Sequence, residues 1–382
     1  MIHYAKGRHP KQAHVNIPEG LYEEEFGRQG FFGPQTQLYH RHPVTDWTRI
    51  EGPLQPRAMR TYDLQPDDAQ DPDGRPTMLL HNEDVRIAIS RRSETMPFFF
   101  RNADGDELHF IHKGQGQVEC DFGTMAFEPG DYLLMPKGTS YRLVYETSDN
   151  FSLIVEARAP LGFPPRGIAG QHAPFDFTVI ETPEPAPVTD SNGQEWELRI
   201  KRGDRYTSVF YDFCPMDVVG WHGSLSVLKL NTRDLRCLMS EGVHLPPSAH
   251  CTFQGQGFVV CTFTPRPLEG DPAAERVPWY HRNIDYDEVF FIHDGEFTLS
   301  RSSGSGRTAG MMTINPGGLH HGPHPGVQEA SRKHWQKDAR LEFTAVNIDT
   351  ERPLTMTEAA TAVEIPDYYT SWIRKAESVA SS

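Results

Sequence analysis

The sequence predicts an all-β fold made of two similar units, followed by a short C-terminal helical segment. Two features of the 382-residue chain indicate β structure: short apolar or alternating runs bounded by turn signals, and a high content of turn-forming residues, with 31 prolines and 32 glycines. A third feature, an internal repeat, indicates that one β-rich unit occurs twice. The length is too great for one typical domain and suits two.

Strand-like runs follow one another through residues 84–158 and resume near residue 195. The stretch between them, residues 159–193, is rich in proline and glycine and is predicted to be a linker. We therefore expect a first unit with an N-terminal arm in residues 1–175, and a second unit with the helical tail in residues 176–382. The runs are DVRIAIS, ELHFIHKG, QVECDFG, DYLLMPKG, YRLVYE and FSLIVEAR, then EWELRIKRG and YTSVFYDF. The predicted tail is TMTEAATAVEIPDYYTSWIRKAESV, interrupted by Pro366.

Charge and cysteine content exclude several classes of partner. A formal net charge of -15 argues against nucleic acid and anionic membranes, because both select a basic surface. No run approaches the roughly 18 apolar residues that a membrane helix requires, and the N-terminus has no apolar signal region. The five cysteines show no CxxC spacing, which is typical of reduced thiols in a cytoplasmic protein.

The internal repeat is visible without a gap when FFRNADGDELHFIHKGQG is set beside YHRNIDYDEVFFIHDGEF. In this alignment Glu107 falls on Glu288 and His112 falls on His293. Downstream, FEPGDYLL in the first copy corresponds to INPGGLHH in the second. Two copies of a β-rich unit, each with a glutamate in a strand and a later Pro-Gly turn, resemble a bicupin, which contains two double-stranded β-helix (jelly-roll) units.

The two copies differ at the positions where chemistry is expected. The first copy has Phe100 at the position of His281, and it has Tyr141 where a metal-binding cupin has its last histidine. Only Glu107 remains there from a possible ligand set. We therefore predict that the first unit is a structural copy without a metal.

The second copy retains a possible metal-binding set. Two imidazoles and one carboxylate form the facial triad of non-haem Fe(II) oxygenases, which leaves three coordination positions open. His281 and Glu288 are seven residues apart, so on one regular strand they would face opposite sides, and we expect a turn or bulge at 283–285. By spacing alone the third ligand is any member of one cluster: His320, His321 or His324.

Several segments resemble the homogentisate 1,2-dioxygenase family over most of the chain. They are NIPEGLYEEEFGRQGFFGP, MDVVGWHGSLSVLKLN and VPWYHRN followed by a glutamate. The resemblance implies that His281 and Glu288 are the first two metal ligands, with one extra residue between them here. It also implies that His321, in HGP, is the third ligand.

The same resemblance implies an acid/base histidine between the WHG segment and the metal motif. His244 in EGVHLPPSAH matches that position, and His250 is the competing candidate. A hydroquinone loses a proton when it binds iron, and an imidazole that titrates near neutrality suits the transfer. His222, within WHG, is expected to be a buried structural histidine beside Trp221.

Two departures from the family pattern concern the substrate. This chain has Asn315 where the family has another active-site histidine, and it has Ser300, followed by Arg301, where the family has a lysine. We therefore assign Asn315 and Arg301 to substrate binding, together with Tyr280 and His324. The expected substrate class is a hydroquinone-type aromatic, with homogentisate as one member.

The implied activity is extradiol-type ring cleavage with Fe(II) as cofactor, and with a small aromatic substrate and O2 as the partners. A cytoplasmic homo-oligomer is expected, without nucleic-acid or membrane partners. The alternative is a metal-dependent bicupin isomerase, lyase or hydrolase that does not use O2. A non-catalytic binding or storage bicupin is a further alternative; it does not explain why only one copy has a complete set of ligands.

Overall fold

The computed structural model describes residues 4–28, 33–186, 188, 193–240, 242–243, 245–276, 279–295 and 308–374. An N-terminal arm begins the chain and packs on the second unit rather than on the first. Its first strand pairs with a strand of the second unit in parallel, and its last strand extends the main sheet of that unit. The arm contains β1 (Tyr22–Gly27), β2 (Gln35–His40) and β3 (Arg57–Arg60).

The first unit consists of two sheets. A seven-stranded sheet has the order β15-β10-β7-β12-β5-β4-β24, and a six-stranded sheet has the order β14-β13-β6-β11-β8-β9. All eight quoted strand-like runs form strands here, so that part of the prediction is confirmed. The strands are β4 (Thr77–His81), β5 (Val85–Ser90), β6 (Phe99–Asn102), β7 (Asp106–Lys113), β8 (Gly116–Cys120), β9 (Gly123–Phe127), β10 (Asp131–Met135), β11 (Ser140–Tyr145), β12 (Phe151–Ala157), β13 (Trp196–Arg202), β14 (Arg205–Tyr211) and β15 (Leu228–Asn231).

The second unit is built on a six-stranded sheet of order β16-β17-β23-β20-β21-β3, with a smaller sheet of order β19-β1-β2 and a two-stranded pair of β18 and β22. Its strands are β16 (Cys251–Gly255), β17 (Phe258–Phe263), β18 (Arg266–Pro267), β19 (Tyr280–Asn283), β20 (Asp287–Gly295), β21 (Met311–Asn315), β22 (Arg340–Leu341) and β23 (Phe343–Thr350). The architecture is therefore an all-β bicupin, as the repeat predicts.

The two units share one hydrophobic core. In β7 and β20, side chains alternate between this shared core and the interior of their own unit. Phe110 and Phe291, which correspond in the repeat, contact each other across the core with ring centroids 6.5 Å apart. The corresponding His112 and His293 also meet, with their Nδ1 atoms 3.0 Å apart. The two units therefore contact each other through the equivalent strands β7 and β20, and this interface is pseudo-symmetric.

The strand pairing bears on where the first unit ends. Strands β13 and β14 belong to its six-stranded sheet, and β15 pairs with β10 of its larger sheet. Residues 196–231 thus continue the first unit, beyond the division after residue 175 that the sequence suggests. The division itself remains a proposal, and the pairing favours a boundary after β15.

The C-terminal segment joins both units. It contains β24 (Thr355–Met356), which pairs with β4, the short helix α2 (Glu358–Ala362) and a 3-10 helix (Tyr368–Trp372). Thr357 caps α2 by accepting a hydrogen bond from the Ala360 amide. A second helix, α1 (Val327–Lys333), follows the histidine cluster. The predicted helical tail is thus confirmed as two short pieces on either side of Pro366, while its residues 375–379 lie outside the described part of the chain. No helix among the described residues has the length and apolar character needed to cross a bilayer.

Candidate metal centre

His281, Glu288 and His321 converge at one end of the second unit. One ligand atom from each side chain lies within 4.8 Å of the other two. The Oε2 atom of Glu288 is 3.9 Å from Nε2 of His281 and 3.6 Å from Nε2 of His321. Two imidazole nitrogens and one carboxylate oxygen at these separations form a three-donor set that a single divalent ion can bridge.

Two structural devices bring these residues together. Residues 284–286 between β19 and β20 are not in a strand. His281 and Glu288 therefore do not belong to one continuous strand, in which their side chains would lie on opposite faces. The turn expected there is confirmed. His321 then forms an isolated antiparallel bridge with His281, in which each amide donates to the other carbonyl at 3.0 Å. Paired residues point to the same side, and this places both imidazoles together.

Both imidazoles are oriented by main-chain carbonyls. Nδ1 of His281 lies 3.0 Å from the Trp279 carbonyl oxygen, and Nδ1 of His321 lies 3.3 Å from that of Leu319. With the proton on Nδ1, each ring directs a bare Nε2 toward Glu288, which is the arrangement of metal-binding histidines. Nε2 of His321 is buried and has no hydrogen-bond partner within the described structure. A buried bare nitrogen of this kind fits a metal ligand.

The electrostatics of the site favour a bound cation. Burial alone would raise the pKa of Glu288, but the neighbouring imidazoles outweigh it and hold that pKa well below its usual range. Burial, together with the charge of His281, lowers the pKa of His321. The carboxylate is therefore ionised and His321 is neutral at physiological pH, which are the forms that bind a divalent metal.

Asn315 lies beside the metal set. It pairs with Glu288 across β20 and β21, and its Nδ2 donates to the Oε1 atom of Glu288 at 2.9 Å. The side chain is buried. The sequence predicts Asn315 as a substrate residue, whereas the structure shows that it contacts the proposed ligand carboxylate and holds its orientation.

The N-terminal arm contributes a group that the sequence reasoning missed. Glu25 of β1 is paired in parallel with His281 of β19, so the two side chains share a face. Glu25 is buried, and it accepts a hydrogen bond from Gln37 at 3.0 Å. Burial alone would lower the pKa of His281, but the Glu288 carboxylate outweighs burial and raises that pKa, and the charge of Glu25 adds to the rise. Three consecutive glutamates in one strand-like segment, YEEEFG, are the signal that could have indicated a buried acidic role.

Two other predicted site residues pack away from the three ligands. Tyr280 precedes His281 in β19 and so points to the opposite face, where its buried ring contacts Tyr22 at 6.2 Å. His324 is also buried; its ring stacks on Trp372 at 4.1 Å and its Nε2 lies 2.9 Å from the Ser371 hydroxyl. These contacts favour packing roles for both residues rather than the substrate-binding roles predicted for them.

Of the remaining acid/base and specificity candidates, only His250 is among the described residues. His244, Ser300 and Arg301 lie outside the described residues. His250 is buried against Phe263, with ring centroids 4.9 Å apart, and burial lowers its pKa to about 3. An imidazole with so low a pKa is a weak base at neutral pH, which argues against His250 as the proton acceptor.

The WHG segment differs from expectation. His222 is exposed, and Val219 and Leu225 nearby are 88% and 68% exposed. The prediction of a buried His222 is therefore wrong for the single chain. The indole nitrogen of Trp221 donates to the Pro183 carbonyl at 3.3 Å, so that ring does pack on the protein surface.

The first unit keeps the layout of the site with different side chains. Phe100 and Tyr141 are paired across β6 and β11, as His281 and His321 are paired in the second unit. The hydroxyl of Tyr141 donates to Oε2 of Glu107 at 2.7 Å. The correspondence read from the sequence is thus present in space. That this copy binds no metal remains a prediction.

The fold and this constellation define the chain as a two-unit cupin protein with a His/Glu/His candidate metal centre in its second unit. Residues 80–231 match the family model described as homogentisate 1,2-dioxygenase N-terminal. A Saccharolobus solfataricus protein named "Putative dioxygenase" is 30% identical over 97% of this chain and 99% of its own length. The chain therefore belongs to the homogentisate 1,2-dioxygenase family.

Other relatives are more distant. The homogentisate 1,2-dioxygenase of Rhizobium etli is 26% identical over 72% of this chain, which spans only 62% of that relative. The enzyme of Pseudomonas savastanoi is 26% identical over 88% of this chain and 83% of its own length. Among solved structures, protein Ylba from E. coli covers 80% of this chain and 96% of its own, with 9% identity and a TM-score of 0.35.

Proposed function

We propose that this chain is an Fe(II)-dependent dioxygenase that cleaves the ring of homogentisate or of a related hydroquinone-type aromatic with O2. The observation that carries the proposal is the convergence of His281, Glu288 and His321 in one unit, with both imidazoles oriented for metal binding. Membership of the homogentisate 1,2-dioxygenase family supports the reaction class.

The three side chains would hold Fe(II), which, when bound, offers open positions where substrate and dioxygen meet in a fixed orientation. The chain's own task is to present two imidazole nitrogens and an ionised carboxylate to the ion. The Trp279 and Leu319 carbonyls fix the two rings, and Asn315 fixes the carboxylate. Because these partners set the geometry before substrate arrives, little reorganisation is needed during the reaction.

Substrate binding requires removal of a phenolic proton, and we assign this step to His244. The assignment rests on family position, and the low pKa of the rival His250 supports it. Arg301 is assigned to the substrate side, since a guanidinium can bind a ring carboxylate in a bidentate manner. Asn315 acts on substrate only through the orientation of Glu288.

We also propose a cytoplasmic homo-oligomer. All five cysteines are free, as expected for a reducing compartment. Exposed apolar side chains occur at the end of β14 and in the segment between β14 and β15, and they support burial of this stretch against another copy. They are Phe210, Phe213, Val219 and Leu225.

The test is anaerobic reconstitution of the apoprotein with Fe(II), followed by oxygen uptake and ultraviolet absorbance with homogentisate, gentisate and methylhydroquinone. Iron-dependent oxygen uptake with one substrate is expected, and His281→Ala should abolish both tight iron binding and uptake. His320→Ala is the matched control, because the His320 imidazole contacts Glu24 at 3.0 Å instead of the three ligands. This variant should retain iron.

Tight binding of one metal per chain without oxygen uptake for any of these substrates would contradict the dioxygenase proposal for them. That result would favour the metal-dependent isomerase, lyase or hydrolase alternative. Loss of iron in His320→Ala, with retention in His281→Ala, would contradict the assignment of ligands.

A further inference from the structure

The first unit encloses a cavity of about 230 Å³ that has no part in the proposed reaction. Glu107 lines it, at the repeat position of the ligand Glu288, and so does Tyr141, at the position of His321. The first unit has therefore kept the interior space of a cupin while its side chains have diverged from a metal-binding set. A retained cavity with changed lining is a candidate for a different ligand.

The inner end of the cavity is polar and has an unused hydrogen-bonding atom. The Tyr141 hydroxyl lies 2.7 Å from Oε2 of Glu107 and 3.1 Å from Nε2 of His109. Since the tyrosine donates its single proton to the carboxylate, the His109 Nε2–H donates to the tyrosine oxygen, which makes Nδ1 an acceptor. His109 is 3% exposed, and its Nδ1 has no hydrogen-bond partner in the described structure. These polar groups contact one another, and the shielded Nδ1 atom does not face the open space of the cavity.

Another part of the cavity lining is apolar. Rings and aliphatic side chains from both sheets of the unit line this part: Met96, Phe98, Phe100, Leu143 and Ile154. An apolar protein cavity of about 150 Å³ already holds a benzene molecule. The larger space here suits one aromatic ring with small substituents.

Five cationic side chains and three carboxylates line the cavity. Two of the cations, Arg92 and Arg199, pair with carboxylates beyond the lining, on Asp68 and Asp73. Arg86 and Lys201 are neutralised by Asp204 and Glu156. The exposed Arg75 is different: its guanidinium lies 3.7 Å above the Tyr206 ring and forms no ion pair with any described residue. Arg75 is therefore available to bind a carboxylate.

We propose that this cavity is a second, non-catalytic ligand site for a small monocyclic aromatic acid. The ring lies against the apolar walls, and the carboxylate binds Arg75. Binding involves no covalent step. The proposal is independent of the activity assigned to the metal centre, because none of these residues belongs to the second unit.

Isothermal titration of the iron-loaded protein with 4-hydroxybenzoate, under anaerobic conditions, tests the proposal. One saturable site is expected, with weaker binding of 4-hydroxybenzamide because it lacks the carboxylate. Ala88→Leu fills the cavity, since Ala88 of β5 lines it, and should abolish binding. Arg75→Gln should weaken binding at least about tenfold while leaving the fold intact, because Arg75 is exposed.

The His281→Ala variant separates this cavity from the metal centre. Undiminished 4-hydroxybenzoate binding in His281→Ala, with loss in Ala88→Leu and weakening in Arg75→Gln, supports the proposal. Absence of saturable binding up to about 10 mM would overturn it. So would binding that disappears in His281→Ala but is unchanged in Arg75→Gln, because the acid would then occupy the metal centre.

Discussion

Removal of the Asn315 amide should weaken metal binding without unfolding the protein. Its Nδ2 donates to the partly buried Glu288 carboxylate at 2.9 Å, and the Asn315 side chain itself is buried. Groups that orient a metal ligand in this way typically contribute about 10–100-fold to metal affinity, or roughly 1.4–2.8 kcal/mol. In Asn315→Ala the freed carboxylate oxygen is also left without a donor, which should lower apoprotein stability by about 1–3 kcal/mol.

The assay is competition for Fe(II) against a chromophoric chelator under anaerobic conditions, with urea unfolding of the apoprotein measured in parallel. Thr313→Val is the matched control, because Thr313 is buried two residues away on the same face of β21 but is paired with Phe290 instead of Glu288. Its metal affinity should equal that of the parent. An Asn315→Ala protein that binds Fe(II) as tightly as Thr313→Val would refute the orienting role, whatever its stability.

Four further outcomes follow from the structure. Burial lowers the pKa of His112 from its ordinary value of 6.5 to about 3. Between these two pH values the unfolded chain binds a proton at His112 and the folded chain does not. Stability should therefore decline from about pH 6.5 toward pH 3, and less steeply in His112→Phe, as urea unfolding across pH would show. Trp372→Ala removes a fully buried ring and should lower the free energy of unfolding by about 3–5 kcal/mol. His324→Phe keeps a ring stacked on Trp372 and should leave the KM for substrate unchanged. A raised KM in this variant would support a substrate role for His324. Glu25→Gln should weaken Fe(II) binding a few-fold in the chelator assay, since it removes a buried negative charge from the face that carries a ligand. Fe(II) at about 100 times its Kd should raise the unfolding free energy by about 2.7 kcal/mol, and this increase should be absent in Glu288→Gln.

Much of the fold was predictable because the signals are local. Strand-like runs with turn residues at their ends became strands, and the repeat placed Glu107 and Glu288 at equivalent positions of β7 and β20. The domain boundary was harder to predict. A Pro/Gly-rich stretch marks irregular backbone, but only the pairing of β13, β14 and β15 shows which sheets the following strands join.

Neighbours that are distant in sequence were not predictable. Asn315 was interpreted from its family position, and its contact with Glu288 depends on the register of β20 against β21. Glu25 lies more than 250 residues from its paired residue His281, so no local pattern links them. Such contacts are set by strand register and by the docking of the arm, and both emerge only when the whole chain has folded.

The sequence by itself determined that the chain repeats one β-rich unit and that only the second copy has histidines, with a glutamate, at the expected ligand positions. Composition and spacing carry that information directly. The tertiary structure decided what each histidine in the cluster contacts: the His320 ring contacts Glu24, the His321 ring contacts Glu288, and the His324 ring stacks on Trp372. The reason is geometric. Adjacent residues of an extended chain point in opposite directions, and the backbone bridge between His281 and His321 selects which side chain faces the centre.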